Sequence, residues 1–320
     1  MESKKICSKC EKKAIIEIKW KKRSYCKQHF IEYFLGQVKK SLRSKKYGKI
    51  EKNIKICVAI SGGKDSLSCM HAMKRLGFNI EALHINLGFP GISEKALEIC
   101  ENFCKNIGVK LNVIDLKKEY GFSLPELFEK KLNKATCKIC GTVRRYLINK
   151  FAIENGFDYI ATGHNLSDIT AQGINTILSN YFIGFKSLLP VANPIKEFKI
   201  CGRLKPLFFL TDEENKLYAR FNKIHYLKEK CEYGLNSPLN ILKKHLKALE
   251  EESPGILRRL AFSFISLGKF IEKHKGRSFE ICKECGYPSG ANICDFCRIV
   301  KKAPGAGFSK ISNLRELKAH

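Results

Sequence analysis

The sequence predicts an α/β protein: a doubly wound, mainly parallel sheet covered by helices, with a small metal-binding module near each end. Three observations carry this. From Ile54 to Thr162, β-branched runs alternate with helical patterns, the rhythm of right-handed crossovers. The run Ile54-Lys-Ile-Cys-Val-Ala-Ile60 passes directly into Ser61-Gly-Gly-Lys-Asp-Ser66, a strand feeding a glycine-rich turn and a helix start. Knuckles of the form C-x-x-C or C-x-x-H occur in pairs towards both termini.

Cys7-Ser-Lys-Cys10 and Cys26-Lys-Gln-His29 together match a four-coordinate zinc site. Four protein ligands leave no open position, so the expected role is structural. Residues 1–33 read as a zinc finger whose Ala14–Trp20 hairpin strand only the metal could hold folded. Residues 34–53 read as a basic helix and linker carrying Lys39, Lys40, Arg43, Lys45 and Lys46, either a solvated face or a phosphate-contacting stripe. The sheet domain spans 54–235, with strands expected at 54–60, 79–86, 109–115 and 158–162. Its helices run from the glycine-rich turn to about Leu76, from an N-cap at Ser93 to Gly108, and from Thr142 to Asn155. Ligands of such sheets sit beyond the carboxyl ends of the strands, so the Ser61–Ser66 turn, His84–Gly88 and Gly163–Asn165 should converge on one pocket. Thr211-Asp-Glu-Glu214 is a capping box, and Ser237-Pro238 and Ser253-Pro254 start the helices of an extension over 236–279. Cys282-Lys-Glu-Cys285 and Cys294-Asp-Phe-Cys297 form a zinc ribbon over 280–300, and 301–320 reads as a flexible basic tail.

Fifty-nine Lys and Arg against thirty-one Asp and Glu give a formal charge of +28. Such an excess favours a polyanionic partner, although a lysine-rich proteome would produce the same surface; RNA and DNA are not separated by it. The N-terminus lacks the apolar core of a signal peptide, and Leu260–Leu267 is too short to span a bilayer, so a soluble cytoplasmic protein with no membrane contact is expected. Fifteen cysteines kept reduced in that compartment point to metals rather than disulfides. Cys57, Cys69, Cys100 and Cys104 fall on apolar positions and read as small core residues.

The turn Ser61-Gly62-Gly63-Lys64-Asp65-Ser66 lets the backbone close on a ligand and gathers N–H groups at a helix start, a nest for an anion. The alternative is an ordinary strand–turn–helix corner. The phosphate loop G-x-x-x-x-G-K-[ST] is absent; the spacing instead resembles the PP-loop of the N-type ATP pyrophosphatases, which cleave ATP between its α and β phosphates. A third cysteine group, Cys137-Lys-Ile-Cys140, has no second knuckle nearby; its distant partner is expected to be Cys231. Three thiolates suit a 4Fe–4S cluster with one iron lacking a protein ligand, a redox pair, or zinc with a further ligand.

Taken in order, the N-terminal knuckles, the S-G-G-K-D-S loop, Leu83-His-Ile-Asn-Leu-Gly88, Cys137-x-x-Cys140-Gly, Thr162-Gly-His-Asn-Leu166, Cys231 and the terminal ribbon resemble the TtuA-type tRNA 2-thiolation enzymes, with the TtcA family more distant. The likeness runs from Cys7 to about Cys297. It implies that ATP adenylates the C2 oxygen of a tRNA uridine and that sulfur then displaces AMP. Ser61, Gly62, Gly63, Lys64, Asp65 and Ser66 would cradle the phosphates, with Ala59 and Ile85 near the adenosine. Gly163 and Asp168 would close the nucleotide side, Asp168 through magnesium, while Cys137, Cys140 and Cys231 would hold the cluster. It also implies tRNA as partner, a sulfur donor that is either sulfide or a ubiquitin-like thiocarboxylate carrier, and a homodimer. Two positions depart from the family pattern: Ser167-Asp168 replaces Asp-Asp, with Ile169-Thr170 following where Glu-Ala is common, and Arg144 stands where Lys is usual. Arg144 preserves charge but not an ammonium able to lose a proton. Two other functions fit parts of the pattern: a PP-loop ligase with a nitrogen nucleophile, and a non-catalytic RNA-binding scaffold.

Overall fold

The computed structural model describes residues 5–44, 48–130, 136–229, 231–234, 237–274 and 280–303; Lys45 and Lys46 of the basic stripe and the tail beyond 303 lie outside them. The N-terminal hairpin pairs β1 (Ile16–Ile18) with β2 (Arg23–Tyr25), and α1 (Lys27–Ser41) follows without interruption through residues 33 and 34. A short hairpin of β3 (Arg43–Ser44) and β4 (Gly48–Lys49) leads to the sheet.

The sheet contains β5 (Ile56–Ile60), β6 (Ile80–Asn86), β7 (Leu111–Asp115), β8 (Tyr159–Thr162), β9 (Val191–Ala192) and β10 (Gly202–Leu204), in the spatial order β7-β6-β5-β8-β10-β9. Only β9 is antiparallel, against β10. Val58 of β5 stands opposite Ala82 on one side and Ala161 on the other. The strand order reverses between β5 and β8, so the crevice at the carboxyl ends of these two strands is the place for a ligand.

Helices α2 (Lys64–Arg75), α3 (Ile92–Ile107), α4 (Leu116–Tyr120), α5 (Leu124–Glu129), α6 (Thr136–Glu154), α7 (Leu166–Leu178) and α8 (Asp212–Phe221) lie around the sheet, and α9 (Pro238–Glu252) and α10 (Ile256–His274) pack on α7. A last hairpin, β11 (Glu280–Ile281) with β12 (Pro288–Ser289), precedes α11 (Asp295–Val300). The two faces of β5 explain its unbroken apolar run. Ile56, Val58 and Ile60 join a core with α1, α2, α3 and α8, whereas Cys57 joins a second core with α6 and the C-terminal ribbon. Cys69, Cys100 and Cys104 are buried as expected, and so is Cys201, which the sequence pattern had not placed.

Three local expectations are corrected. The N-cap of α3 is Gly91 at φ +70°; Ser93 lies inside the helix and its Oγ accepts from the Phe89 N–H at 2.9 Å. Helix α6 starts at Thr136 rather than Thr142, so both of its cysteines sit in its opening turns. Ser253 is the C-cap of α9, and α10 begins at Ile256. Among the described residues, no helix is long and apolar enough to cross a membrane.

Candidate active site and metal centres

Strand β5 ends at Ile60 and α2 begins at Lys64 with Gly63 as its N-cap and no side chain capping it. Its first N–H groups are therefore left for a ligand. Gly62 takes φ +76°, and a Cβ there would lie 3.2 Å from the Ala96 carbonyl oxygen, so the turn needs glycine on both counts. Ser66 folds the loop back on itself: its Oγ accepts from the Ser61 N–H at 3.2 Å and donates to the Gly63 carbonyl at 3.0 Å. Lys64 Nζ reaches Asp65 at 2.9 Å and Asp212, at the start of α8, at 2.5 Å. Burial draws the Lys64 ammonium down, but these two carboxylates outweigh it and hold it above its ordinary value. Asp65 is pushed up to about 6, chiefly by burial, and its Oδ1 is buried with no hydrogen-bond partner. Ala59 is half-buried in β5 between Leu83 and Thr162, and Ile85 lies near the end of β6.

Opposite this turn, β8 ends at Thr162 and Gly163 passes against the first turn of α2. Asn165 caps α7: its Oδ1 accepts from the Asp168 N–H at 3.1 Å, and Asp168 Oδ2 accepts from the Asn165 N–H at 3.0 Å. The other Asp168 oxygen is paired with Lys243 of α9. Burial would raise the Asp168 carboxyl, but Lys243 and His164 hold it below the usual carboxylate range. Nearby, Lys205 is buried with its Nζ on the Ser187 and Leu189 carbonyls, both at 2.7 Å, and burial pulls it down to about 7.

The third cysteine group assembles from two directions. Cys137 and Cys140 lie one turn apart on α6, and the segment after α8 returns to bring Cys231 towards them. Cys137 Sγ lies 3.5 Å from the Tyr233 carbonyl. Burial raises the Cys140 thiol, the Arg144 guanidinium one turn on opposes this, and the charges of Cys231 and Cys137 add to the rise. The returning segment is also tied to the glycine-rich turn, because the Leu227 N–H donates to the Gly62 carbonyl at 2.9 Å. Lys95 on Glu229 at 2.9 Å adds a second tie, and the Tyr233 ring packs 4.9 Å from Phe128 and 5.9 Å from Phe89.

The two terminal modules have the spacing of closed zinc sites. Thiolates about 2.3 Å from one zinc stand about 3.8 Å from each other. Cys10 and Cys26 are 3.8 Å apart, Cys282 and Cys297 3.9 Å, and Cys285 and Cys294 3.7 Å. His29 turns Nδ1 inward, 3.3 Å from Cys7 and 3.5 Å from Cys26, while its Nε2 faces Glu32 at 3.9 Å, an outer-shell carboxylate. Cys137, Cys140 and Cys231 are not gathered in this way; the donor atoms of each terminal set lie within 4.8 Å of one another. The ribbon stacks Phe296 on Tyr146 of α6 at 3.7 Å and so buttresses the helix that carries Cys137 and Cys140. The N-terminal finger is not an isolated bead. Phe30 packs on Phe221 at 5.8 Å and Phe34 stacks on Tyr218 at 3.8 Å, so Cys26→Ser or a zinc chelator should lower the melting temperature of the whole domain in differential scanning fluorimetry. A transition unchanged by both would show that this finger folds without metal.

A family model described as a PP-loop domain matches residues 33–249. The tRNA-5-methyluridine(54) 2-sulfurtransferases of Thermotoga maritima and Pyrococcus horikoshii are 37% and 36% identical to this chain, over 92% and 91% of it and 96% and 92% of their own lengths. The chain belongs to the PP-loop tRNA 2-sulfurtransferases. The U34-tRNA thiolase NcsA of Methanococcus maripaludis, solved with its 4Fe–4S cluster, superposes on the enzyme with a TM-score of 0.77 at 27% identity, covering 94% of this chain and 97% of that one. The resemblance drawn from the motifs is thus correct at the level of family, fold and reaction class: the protein is an ATP-dependent tRNA sulfurtransferase.

Sequence reasoning about this sulfurtransferase missed Asp212, Lys243 and the tie from Leu227 to Gly62. Asp212 was within reach, since the Thr211–Glu214 capping box already placed it at a helix start. Lys243 and Leu227 carry no local signal.

Proposed function

We propose that the enzyme transfers sulfur to C2 of 5-methyluridine 54 in tRNA. The higher identity to the position-54 enzymes than to the U34 thiolase supports this choice of uridine. The C2 oxygen attacks the α-phosphorus of ATP and pyrophosphate leaves; a sulfur nucleophile then adds at C2 and expels AMP. The observation that supports the reading is the tie between the two half-sites: the segment leading towards Cys231 is hydrogen-bonded through Leu227 to the glycine-rich turn, and the turn just after Cys231 puts the Tyr233 carbonyl 3.5 Å from Cys137 Sγ, an arrangement in which thiols and phosphate loop would serve one crevice. The free N–H groups at the start of α2, with Ser61, Ser66 and Lys64, take the β and γ phosphates, and Ala59, Ile85 and Gly163 border the adenosine. The unpartnered Asp65 Oδ1 fits a divalent cation better than Asp168, whose oxygens are engaged by Asn165 and Lys243; Asp65 would hold magnesium, and Asp168 would help only if Lys243 released it. Cys137, Cys140 and Cys231 would hold a 4Fe–4S cluster, and its iron without a protein ligand would supply a site for sulfide. Arg144 stabilises phosphate or AMP as a fixed charge, so Arg144→Lys should retain activity. Cys7, Cys10, Cys26 and His29 would hold one zinc, and Cys282, Cys285, Cys294 and Cys297 another.

Asp168 separates structure from chemistry. Asp168→Asn keeps an oxygen for the Asn165 N–H but loses the charge that faces Lys243. Its melting temperature should stay near wild type, whereas Asp168→Ala should lose about 1 kcal/mol with the cap. Turnover should fall about a hundredfold in both; an Asn variant with full activity would reduce Asp168 to a helix cap. The function itself is tested by anaerobic incubation of cluster-loaded enzyme with unmodified tRNA, ATP, magnesium and sulfide, followed by nucleoside mass spectrometry. ATP-dependent thiolation of residue 54 is expected, and an unthiolated tRNA despite bound ATP and intact iron would overturn it.

A further inference from the structure

The end of the fold opposite the glycine-rich turn carries a cavity of about 310 Å³ between α1, α2 and the chain entering β5. Four cations surround it: Lys39 from the last turn of α1, Arg43 from β3, Lys52 from the segment before β5, and Arg75 from the last turn of α2. Leu42 and Phe78, both nearly buried, form its floor. No Asp or Glu lines it among the described residues.

Exposed lysines are usually solvated and mean nothing by themselves. Here the cations come from four separate segments and are brought to one concavity, an arrangement that costs repulsion unless an anion relieves it. Several cations at the other clefts are paired with carboxylates instead: Lys64 with Asp65 and Asp212, Lys243 with Asp168, and Lys95 with Glu229 beside the second cavity. Among the described residues no carboxylate pairs with any of the four; Arg75 donates to the neutral amide of Asn222 at 3.1 Å. The cavity is small, closed on one side by hydrocarbon and basic on the other, which suits a sugar–phosphate unit.

We propose that this pocket is an RNA-backbone subsite, taking one or two phosphodiester groups of the tRNA with a ribose laid against Leu42 and Phe78. It rests on the tRNA reading above. Helix α2 connects the two places, with Lys64 at one end and Arg75 at the other, about 17 Å apart at the rise of an α-helix. A few base pairs of one RNA arm cover that distance, so a tRNA held at this pocket can still present a nucleotide to the crevice at the opposite end.

The test is fluorescence anisotropy of unmodified tRNA binding to the cluster-loaded enzyme over a potassium chloride series. Lys52→Ala with Arg75→Ala should weaken binding about tenfold and reduce the slope of log K against log salt by about two. ATP affinity and turnover at saturating tRNA should stay at wild-type values. Arg75→Lys and the single Lys52→Ala should each give an intermediate loss, which guards against a folding effect in the double variant. The control removes the same charge outside the cavity, with Lys105→Ala and Lys110→Ala, neither of which lines it. Equal weakening in the control, or an unchanged slope in the pocket variant, would overturn the proposal. So would a pocket that binds AMP or pyrophosphate in the wild type only, with tRNA affinity unaffected by the substitutions. A wild-type enzyme that binds no tRNA would instead remove the functional reading itself, an outcome visible before any variant is made.

Discussion

Cys231→Ala should abolish formation of the thiolated base while leaving the fold and ATP binding intact. Cys231 is exposed, so its replacement removes almost no buried area and should leave the melting temperature of the cluster-free protein unchanged. The same change at Cys57, fully buried in β5, would cost core packing instead. The Leu227 N–H that grips the glycine-rich turn belongs to the backbone and survives the substitution, so ATP affinity should hold within about twofold. Iron content should fall with the loss of one of three thiolates. Outer-shell partners alone are worth about ten- to a hundredfold at metal sites, and removal of a ligand should exceed that. Iron and labile sulfide analysis beside the nucleoside assay separates the routes. Retained thiolation in iron-free protein would assign Cys137 and Cys140 to a persulfide or redox route and remove the cluster from the reaction.

The parts of this site that were legible in the sequence are those whose residues are neighbours along the chain. The glycine-rich turn, the C-x-x-C pairs and the Thr211–Glu214 box each encode their geometry within a few residues, because a strand–turn–helix corner, a metal knuckle and a helix cap are local objects. The contacts that assemble them into a centre are not local. Lys64 meets Asp212 across 148 positions, and the bond from Leu227 to Gly62 arises only when the chain returns past α3. Two errors have the same origin in weak local signals. Thr136 to Gly141 is poor in strong helix formers, so the start of α6 was placed late; packing of Ile139 into the second core overrides propensity there. Ser93 has the chemistry of an N-cap, but Gly91 already turns the chain at positive φ and leaves the serine hydroxyl to hold Phe89. Asp168 carries a further local signal: Asn165-x-x-Asp168 is a capping-box pattern, and the structure forms the reciprocal cap.

Gly163→Ala should disable the nucleotide site more thoroughly than loss of any single polar side chain in it. A Cβ at position 163 would lie 2.6 Å from the Ser66 nitrogen and 2.8 Å from the Asp65 carbonyl carbon and the Ser66 Cα. All three are backbone atoms, so no flexible side chain can swing aside; either the end of β8 or the first turn of α2 must move. That turn carries the N–H groups left uncapped by Gly63, and their direction is what a phosphate would read. Overpacking of this kind costs about 1–3 kcal/mol of stability, which this domain should survive with a modestly lowered melting temperature. The larger effect falls on ATP. Loss of two or three aligned N–H donors to a charged group, each worth about 1.5–3 kcal/mol, corresponds to at least about a hundredfold in affinity, and adenylation should fail with it. Ser66→Ala provides the comparison: it removes the hydroxyl bonded to the Ser61 N–H and the Gly63 carbonyl but drives no new atom against the backbone, and should lose less. Gly36→Ala sets the baseline: that glycine lies on the exposed side of α1 with open space where the Cβ would go, so alanine there should be neutral or slightly stabilising. Isothermal titration with a non-hydrolysable ATP analogue distinguishes these cases. A Gly163→Ala enzyme that binds the analogue like wild type would mean that the close approach of β8 to α2 does not shape the phosphate site, and the nucleotide would then have to be placed elsewhere in the crevice.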